Sequence, residues 1–194
     1  MSVKVAFLGM GVMGMPMTLN LLRRGYAVTA WNRSQNSPNL DRIRAEGGAI
    51  AASITTAVKD AEYIFICVSD VPDVKAVVLG ESGVVHHAKP NALIVDFSTI
   101  GSTAAKDIAQ VLAAKQLRFL DAPISGGDVG AEHGTLTIMV GGDRLDFDEA
   151  QPYLNAMGKN IYYCGAIGSG QAVKMCNQGL CAIHMVALCE AITL

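Results

Sequence analysis

The most restrictive feature of this 194-residue chain is a short glycine-rich stretch, Gly9-Met10-Gly11-Val12-Met13-Gly14. It lies between an apolar run, Val3–Leu8, and a segment of helical character that starts near Val12 and stops at Gly25. Glycines at this spacing suit a strand-to-helix crossing. The first permits the tight turn, the second lets the backbone approach a pyrophosphate, and the third lets the helix pack closely on the strand. The helix N-terminus then offers its amides to an anion. The pattern predicts alternating parallel strands and helices, with a dinucleotide laid across the first turn.

The remaining chain follows the same alternation. Ala27–Trp31 reads as a second strand, a helix around Asn39–Glu46 ends at Gly47-Gly48, and a short strand follows near Ala49–Ala51. Tyr63–Val68 and Leu93–Phe97 are continuous apolar runs, as expected of central strands covered on both faces. Pro72–Leu79 and Ser102–Lys115 supply helices. Further strands are expected near Arg118–Leu120, Thr135–Val140 and Ile161–Tyr163, with a helix from Arg144 to about Met157. The fold class is therefore α/β, a Rossmann-type, doubly wound and mostly parallel sheet over residues 1–165. Gly170–Leu194 reads as a helix that is apolar nearly all round and lacks a stop signal, which suggests that the sequence continues.

Composition narrows the function classes. The 15 basic and 17 acidic residues are interspersed and leave a formal charge of −2, so no field attracts nucleic acid or an anionic membrane. The N-terminal apolar stretch is broken by glycines and Pro16 and lacks a basic lead, unlike a signal peptide. The apolar tail Gly179–Leu194 is too short to span a bilayer and carries His184 and Glu190. Cys67, Cys164, Cys176, Cys181 and Cys189 are odd in number, form no CxxC pair and mostly sit inside apolar runs, so they read as reduced, buried packing residues of a cytoplasmic protein. His86 and His87 are adjacent, and His133 and His184 have no ligand-spaced partners; no metal site is expected.

The residues after the second strand bear on the choice of dinucleotide. NAD is usually held by an Asp or Glu at that point, through the ribose hydroxyls. Here the place is taken by Asn32-Arg33-Ser34. No carboxylate competes with a phosphate in this stretch, and Arg33 can pair with a 2′-phosphate while Asn32 and Ser34 hydrogen-bond to it. NADP(H) is thus favoured, with NAD(H) as the alternative.

Three motifs carry a resemblance that covers the whole chain: GMGVMGMPMTLNLLRRG from Gly9 to Gly25, DAPISGG from Asp121 to Gly127, and GSGQAVKMCNQ from Gly168 to Gln178. In that order and spacing the sequence resembles the β-hydroxyacid dehydrogenases, which include 3-hydroxyisobutyrate dehydrogenase, tartronate semialdehyde reductase and the glyoxylate or succinic semialdehyde reductases. The resemblance implies cofactor contacts from Gly9, Met10, Gly11, Val12, Met13 and Gly14, from Asn32, Arg33 and Ser34, from Val68, Ser69 and Asp70, and from Thr99 near the nicotinamide. It implies that Ser125, Gly126 and Gly127 bind a substrate carboxylate. A hydroxyl followed by two unobstructed amides is a suitable donor set for an anion. Lys174 corresponds to the family's catalytic lysine, and Asn177 to a group that orients the lysine or the substrate. On a helix, Gln171, Asn177 and Gln178 stand at i−3, i+3 and i+4 from Lys174, which places four polar groups on one face.

The reaction so implied is hydride transfer between NADP(H) and a small carboxylated aldehyde or ketone, with Lys174 as general acid or base. Two alternatives stand beside it: an NAD-dependent 3-hydroxyisobutyrate dehydrogenase, and a catalytically silent nucleotide-binding module. Members of the family continue into an all-helical C-terminal domain. Residues 166–194 are accordingly expected to begin an interdomain helix, and a homo-oligomer is expected through that helix and the domain absent from this chain.

Overall fold

A computed structural model describes residues 3–194 of the chain. Its first half is a run of short β-α units: β1 (Lys4–Leu8), α1 (Gly14–Arg23), β2 (Ala27–Trp31), α2 (Pro38–Ala45), β3 (Ala49–Ile50), α3 (Ile54–Val58), β4 (Tyr63–Ile66), α4 (Val71–Leu79), α5 (Val84–His87), β5 (Leu93–Asp96) and α6 (Gly101–Ala113). The second half comprises β6 (Arg118–Asp121), β7 (Ile124–Ser125), α7 (Gly127–Glu132), β8 (Leu136–Gly141), α8 (Arg144–Met157), β9 (Gly158–Gly165) and α9 (Ser169–Thr193).

The strands form one sheet in the order β3-β2-β1-β4-β5-β6-β8-β7, with β9 paired to β8. The pairs from β3 through β6 are all parallel. The run then reverses: β8 is antiparallel to β6 and β7 and parallel to β9. Strand alternation explains the two cores. Phe7, Tyr63, Phe65 and Val95 face α1, α2 and α8. Their neighbours Leu8, Ile64, Ile66 and Ile94 face α3, α4, α5 and α6. With both faces covered, β4 and β5 are buried at every position, which is why they read as unbroken apolar runs.

The order turns back between β1 and β4, the place where open α/β sheets leave a crevice beyond their carboxyl ends. Periodicity did not disclose α3, α5, β7 and α7, because elements of two to six residues hold too few apolar positions to show a period. α9 needs a correction. It spans 25 residues, its most apolar 18-residue stretch has a mean hydropathy of 1.3, and it is long and apolar enough to cross a membrane by length and composition, unlike the shorter tail considered in isolation. Its first turns are nevertheless built into the domain, where Gly170, Gln171 and Lys174 are buried. Further along, Leu180, Ile183, Val186 and Leu188 stand 54–68% exposed, and Cys176, Cys181 and Cys189 are exposed as well, against the expectation of buried cysteines, because this part of α9 has no neighbouring element among the described residues to cover it.

Candidate functional site

A cleft of about 410 Å³ opens at the carboxyl ends of β1, β2 and β4, lined by the glycine turn, Asn32-Arg33-Ser34, Val68, Ser69 and Asp73. The three glycines have separate physical reasons. Gly9 has φ +101°, and a Cβ there would lie 2.2 Å from the Cys67 carbonyl oxygen. A Cβ on Gly14 would meet the Gly9 carbonyl oxygen at 1.9 Å, so α1 packs this closely on the turn only without a side chain. A Cβ on Gly11 would meet nothing within 4 Å. Gly11 is thus the one glycine of the turn that the protein's own packing does not demand, and it borders the cleft. The first turn of α1 contains no acidic residue and no side-chain cap, which leaves its positive end to an incoming anion. These features fit a dinucleotide diphosphate.

Several residues expected to touch the cofactor have other duties. Met10 is 1% exposed, with its side chain in the core. Its amide donates to Asn32 Oδ1 at 3.0 Å and its carbonyl accepts from Asn39 Nδ2 at 2.8 Å. Asn32 therefore braces the glycine turn while lining the cleft. Asp70 lies off the cleft; its carboxylate accepts from the Asp73 amide at 3.0 Å and caps α4. Arg33 is also engaged, since its Nη1 lies 2.7 Å from Asp73 Oδ1. The expectation that no carboxylate competes at this point is corrected by the fold, which brings Asp73 from α4 to the end of β2.

A second cavity of about 370 Å³ lies next to the first and shares Met13, Cys67, Val68 and Ser69 with it. Here the structure gathers Thr99 from the β5–α6 turn, Ser125, Gly126 and Gly127 from the β7–α7 turn, and Lys174 and Gln178 from α9. Gly126 has φ +137° and Gly127 φ +65°, so the turn needs glycine for its backbone path. Lys174 is 8% exposed, and burial holds its ammonium below the usual lysine range. Burial pushes the Cys67 thiol up to about 12, so this cavity-lining sulfur stays protonated near neutral pH.

Comparison with known proteins identifies the family. Residues 4–165 match the family model described as the NAD binding domain of 6-phosphogluconate dehydrogenase. The chain belongs to this family. Among family relatives, it is 51% identical to an uncharacterized oxidoreductase of Synechocystis over 98% of its length and 66% of the relative's. It is 36% identical to the 2-hydroxy-3-oxopropionate reductase of Escherichia coli, over 97% of its length and 64% of that enzyme's. A structure of Mycobacterium tuberculosis 3-hydroxyisobutyrate dehydrogenase with L-serine superposes with a TM-score of 0.91 at 35% identity, covering 98% of this chain and 64% of that one. The chain thus spans about two thirds of the length of these relatives.

In this member of the family, the polar face expected on α9 divides into separate tasks. Gln171 is fully buried. Its Oε1 accepts from the Ile100 and Gly101 amides, both at 3.0 Å, and its Nε2 donates to the Ser98 carbonyl at 2.8 Å. It ties α9 to the end of β5. Gln178 reaches the second cavity, whereas half-buried Asn177 does not line it and keeps a buried Nδ2 with no partner.

Sequence reasoning missed Asp121. The DAPISGG motif drew attention to its serine and glycines, yet the buried aspartate at its head fixes the lysine helix. Asp121 Oδ1 accepts from the Gly168 amide at 2.6 Å and Oδ2 from the Gln171 amide at 2.9 Å, capping an α9 N-terminus that has no side-chain cap of its own. Desolvation lifts Asp121 to about 6 despite these hydrogen bonds, and the neighbouring Asp96, wholly buried with Oδ2 unpartnered, to about 7. The only hint in the sequence was the charge itself, an aspartate directly after the apolar pair Phe119-Leu120.

Proposed function

We propose that this chain forms the cofactor-binding and lysine-bearing part of an oxidoreductase that reduces a small aldehyde acid to its hydroxy acid, with NADP(H) favoured over NAD(H). Tartronate semialdehyde, glyoxylate and succinic semialdehyde represent the substrate class. Residues 1–165 serve as the dinucleotide-binding domain, and residues 166–194 begin the interdomain helix. The exposed apolar side of α9 belongs to a homo-oligomer.

The observation that carries this reading is the shared wall between the two cavities. Gly9–Gly14 would hold the diphosphate of a dinucleotide, and Met13, Val68 and Ser69, which line both cavities, would join that site to the space that Lys174, Thr99 and Ser125–Gly127 surround. When bound, the reduced nicotinamide supplies the hydride. Ser125 with the Gly126 and Gly127 amides holds the substrate carboxylate, an arrangement of neutral donors around an anion. Lys174, protonated but easily deprotonated because it is buried, donates a proton to the carbonyl oxygen as negative charge develops there. Asn177, one turn on from Lys174, does not line the cavity itself, so its part would be to orient the lysine and not the substrate.

The Arg33–Asp73 pair favours one second reading, an NAD-dependent 3-hydroxyisobutyrate dehydrogenase, because Asp73 supplies a carboxylate near the ribose end of the cleft. The test is oxidation of NADPH and of NADH by the longest natural form of the protein, against tartronate semialdehyde, glyoxylate, succinic semialdehyde and methylmalonate semialdehyde. Turnover with NADPH on one of the first three is the expected result. Turnover confined to NADH and methylmalonate semialdehyde would establish the second reading, and dinucleotide binding without turnover on the panel would sink both.

A further inference from the structure

The two partners in the Arg33–Asp73 pair are held very differently. The Arg33 side chain is 78% exposed, an arm laid across the rim, whereas the Asp73 side chain is 25% exposed. Asp73 is the third residue of α4, and its amide is pinned by the Asp70 carboxylate at 3.0 Å, so the backbone that carries the aspartate is fixed at the rim. Both residues line the same cleft as Asn32 and Ser34. The contact is made through one guanidinium nitrogen, which leaves other donors of the guanidinium for a ligand. An exposed pair of this kind adds little to folding, so it can be altered without loss of the domain.

From this geometry we propose that Asp73 is a specificity-determining residue that restrains the preference for the phosphorylated dinucleotide. The proposal rests on the dinucleotide reading of the cleft. Arg33 attracts a 2′-phosphate, but part of its charge is already answered by Asp73, and the carboxylate repels a dianion brought to the same rim. Neither effect acts on an unphosphorylated ribose, whose hydroxyls a carboxylate can accept from. The local sequence Asn32-Arg33-Ser34 therefore overstates the preference that the folded cleft delivers.

The test is equilibrium binding of NADPH and NADH, read from nicotinamide fluorescence and so independent of turnover, for the wild type, D73N, D73S, R33Q and the R33Q/D73N double variant. Thermal melting verifies that each is folded. Removing the carboxylate should tighten NADPH about five- to tenfold and leave NADH unchanged or weaker, with the gain for NADPH shrinking at high salt. In the R33Q background the same change should have a smaller effect, because no arginine is released. A shift of less than twofold in the NADPH-to-NADH ratio for both D73N and D73S, with both dinucleotides bound, overturns the proposal and leaves the dinucleotide reading standing. Failure of the wild type to bind either dinucleotide overturns that reading and the proposal with it.

Discussion

The two cavities lie side by side but are built in opposite ways. The dinucleotide cleft depends on backbone: one contiguous turn, two glycines demanded by packing, and a third left open toward the ligand. The second cavity depends on side chains brought from the ends of β5 and β7 and from α9, and held there by buried polar contacts. A site made from one local turn survives as long as its strand and helix do. A site assembled from distant segments depends on whatever fixes them, which here is Asp121 and Gln171. Substitutions in the two cavities should therefore fail in different ways.

The largest effect is expected at Lys174. Replacing it with Met keeps the length of the side chain and removes the proton, so kcat should fall about a thousandfold or more while NADPH binding stays within about twofold. Activity near the wild-type level in K174M would remove the lysine from the mechanism and with it the proposed role of the second cavity. In the active protein the reduction rate should also decline as pH rises through the lowered lysine value, because the protonated form is the donor; a rate flat across alkaline pH argues against a general acid here.

The glycine turn offers a sharper contrast, because two changes of the same size predict different failures. G14A drives a methyl group into the Gly9 carbonyl, and something in the β1–α1 packing must shift, at a cost of about 3 kcal/mol or more. G11A meets no protein atom, so its stability should change by about 0.5 kcal/mol or less, while dinucleotide affinity falls at least about tenfold. Denaturant unfolding and NADPH titration on both variants separate the outcomes. Unimpaired binding by G11A would mean that the diphosphate does not pass over this turn.

That contrast also explains what could be read from the sequence. The cleft was legible because strand, three glycines and helix are contiguous, and because β4 and β5, covered on both faces, appear as unbroken apolar runs. Ser125, Gly126, Gly127 and Lys174 were found through the family resemblance, and the fold places them on one cavity. Asp73 and Asp121 were not found. Each acts on a residue far away in sequence, Asp73 on Arg33 and Asp121 on the amides of Gly168 and Gln171, so no local pattern marks them. For the same reason Gln171 was read as part of the reactive face, whereas its three hydrogen bonds make it a brace.

The brace can be tested in its own right. Q171M fills similar volume but leaves the Ile100 and Gly101 amides and the Ser98 carbonyl without partners, and should lower kcat about ten- to hundredfold with a much smaller change in cofactor affinity. Q171E retains the acceptor for both amides and should recover part of the loss. Parallel losses in kcat and cofactor binding, with no rescue by Q171E, would mean that Gln171 supports the fold in general and not the placement of Lys174.

The acids beneath that brace should act on stability and leave the rate nearly alone, and the sign of their effect is specific. Asp96 and Asp121 are raised in the folded chain to about 7 and about 6 from an ordinary 3.8, chiefly by desolvation. Between pH 4 and 7 the folded state therefore binds more protons than the unfolded state, and stability falls as pH rises through that window. For Asp96 the loss by about pH 8 is roughly 2–4 kcal/mol, since each tenfold difference in proton affinity between the two states corresponds to about 1.4 kcal/mol. D96N keeps an acceptor for the Ser98 amide and removes the charge, so its melting temperature should change much less than the wild type's between about pH 5.5 and pH 8. Its gain at pH 8 will be partly offset, because the new amide nitrogen inherits the unpartnered position now held by Oδ2. If the wild type instead grows more stable toward pH 8 and D96N follows the same curve, Asp96 is ionised in the folded chain without penalty, and a partner must neutralise it in solution.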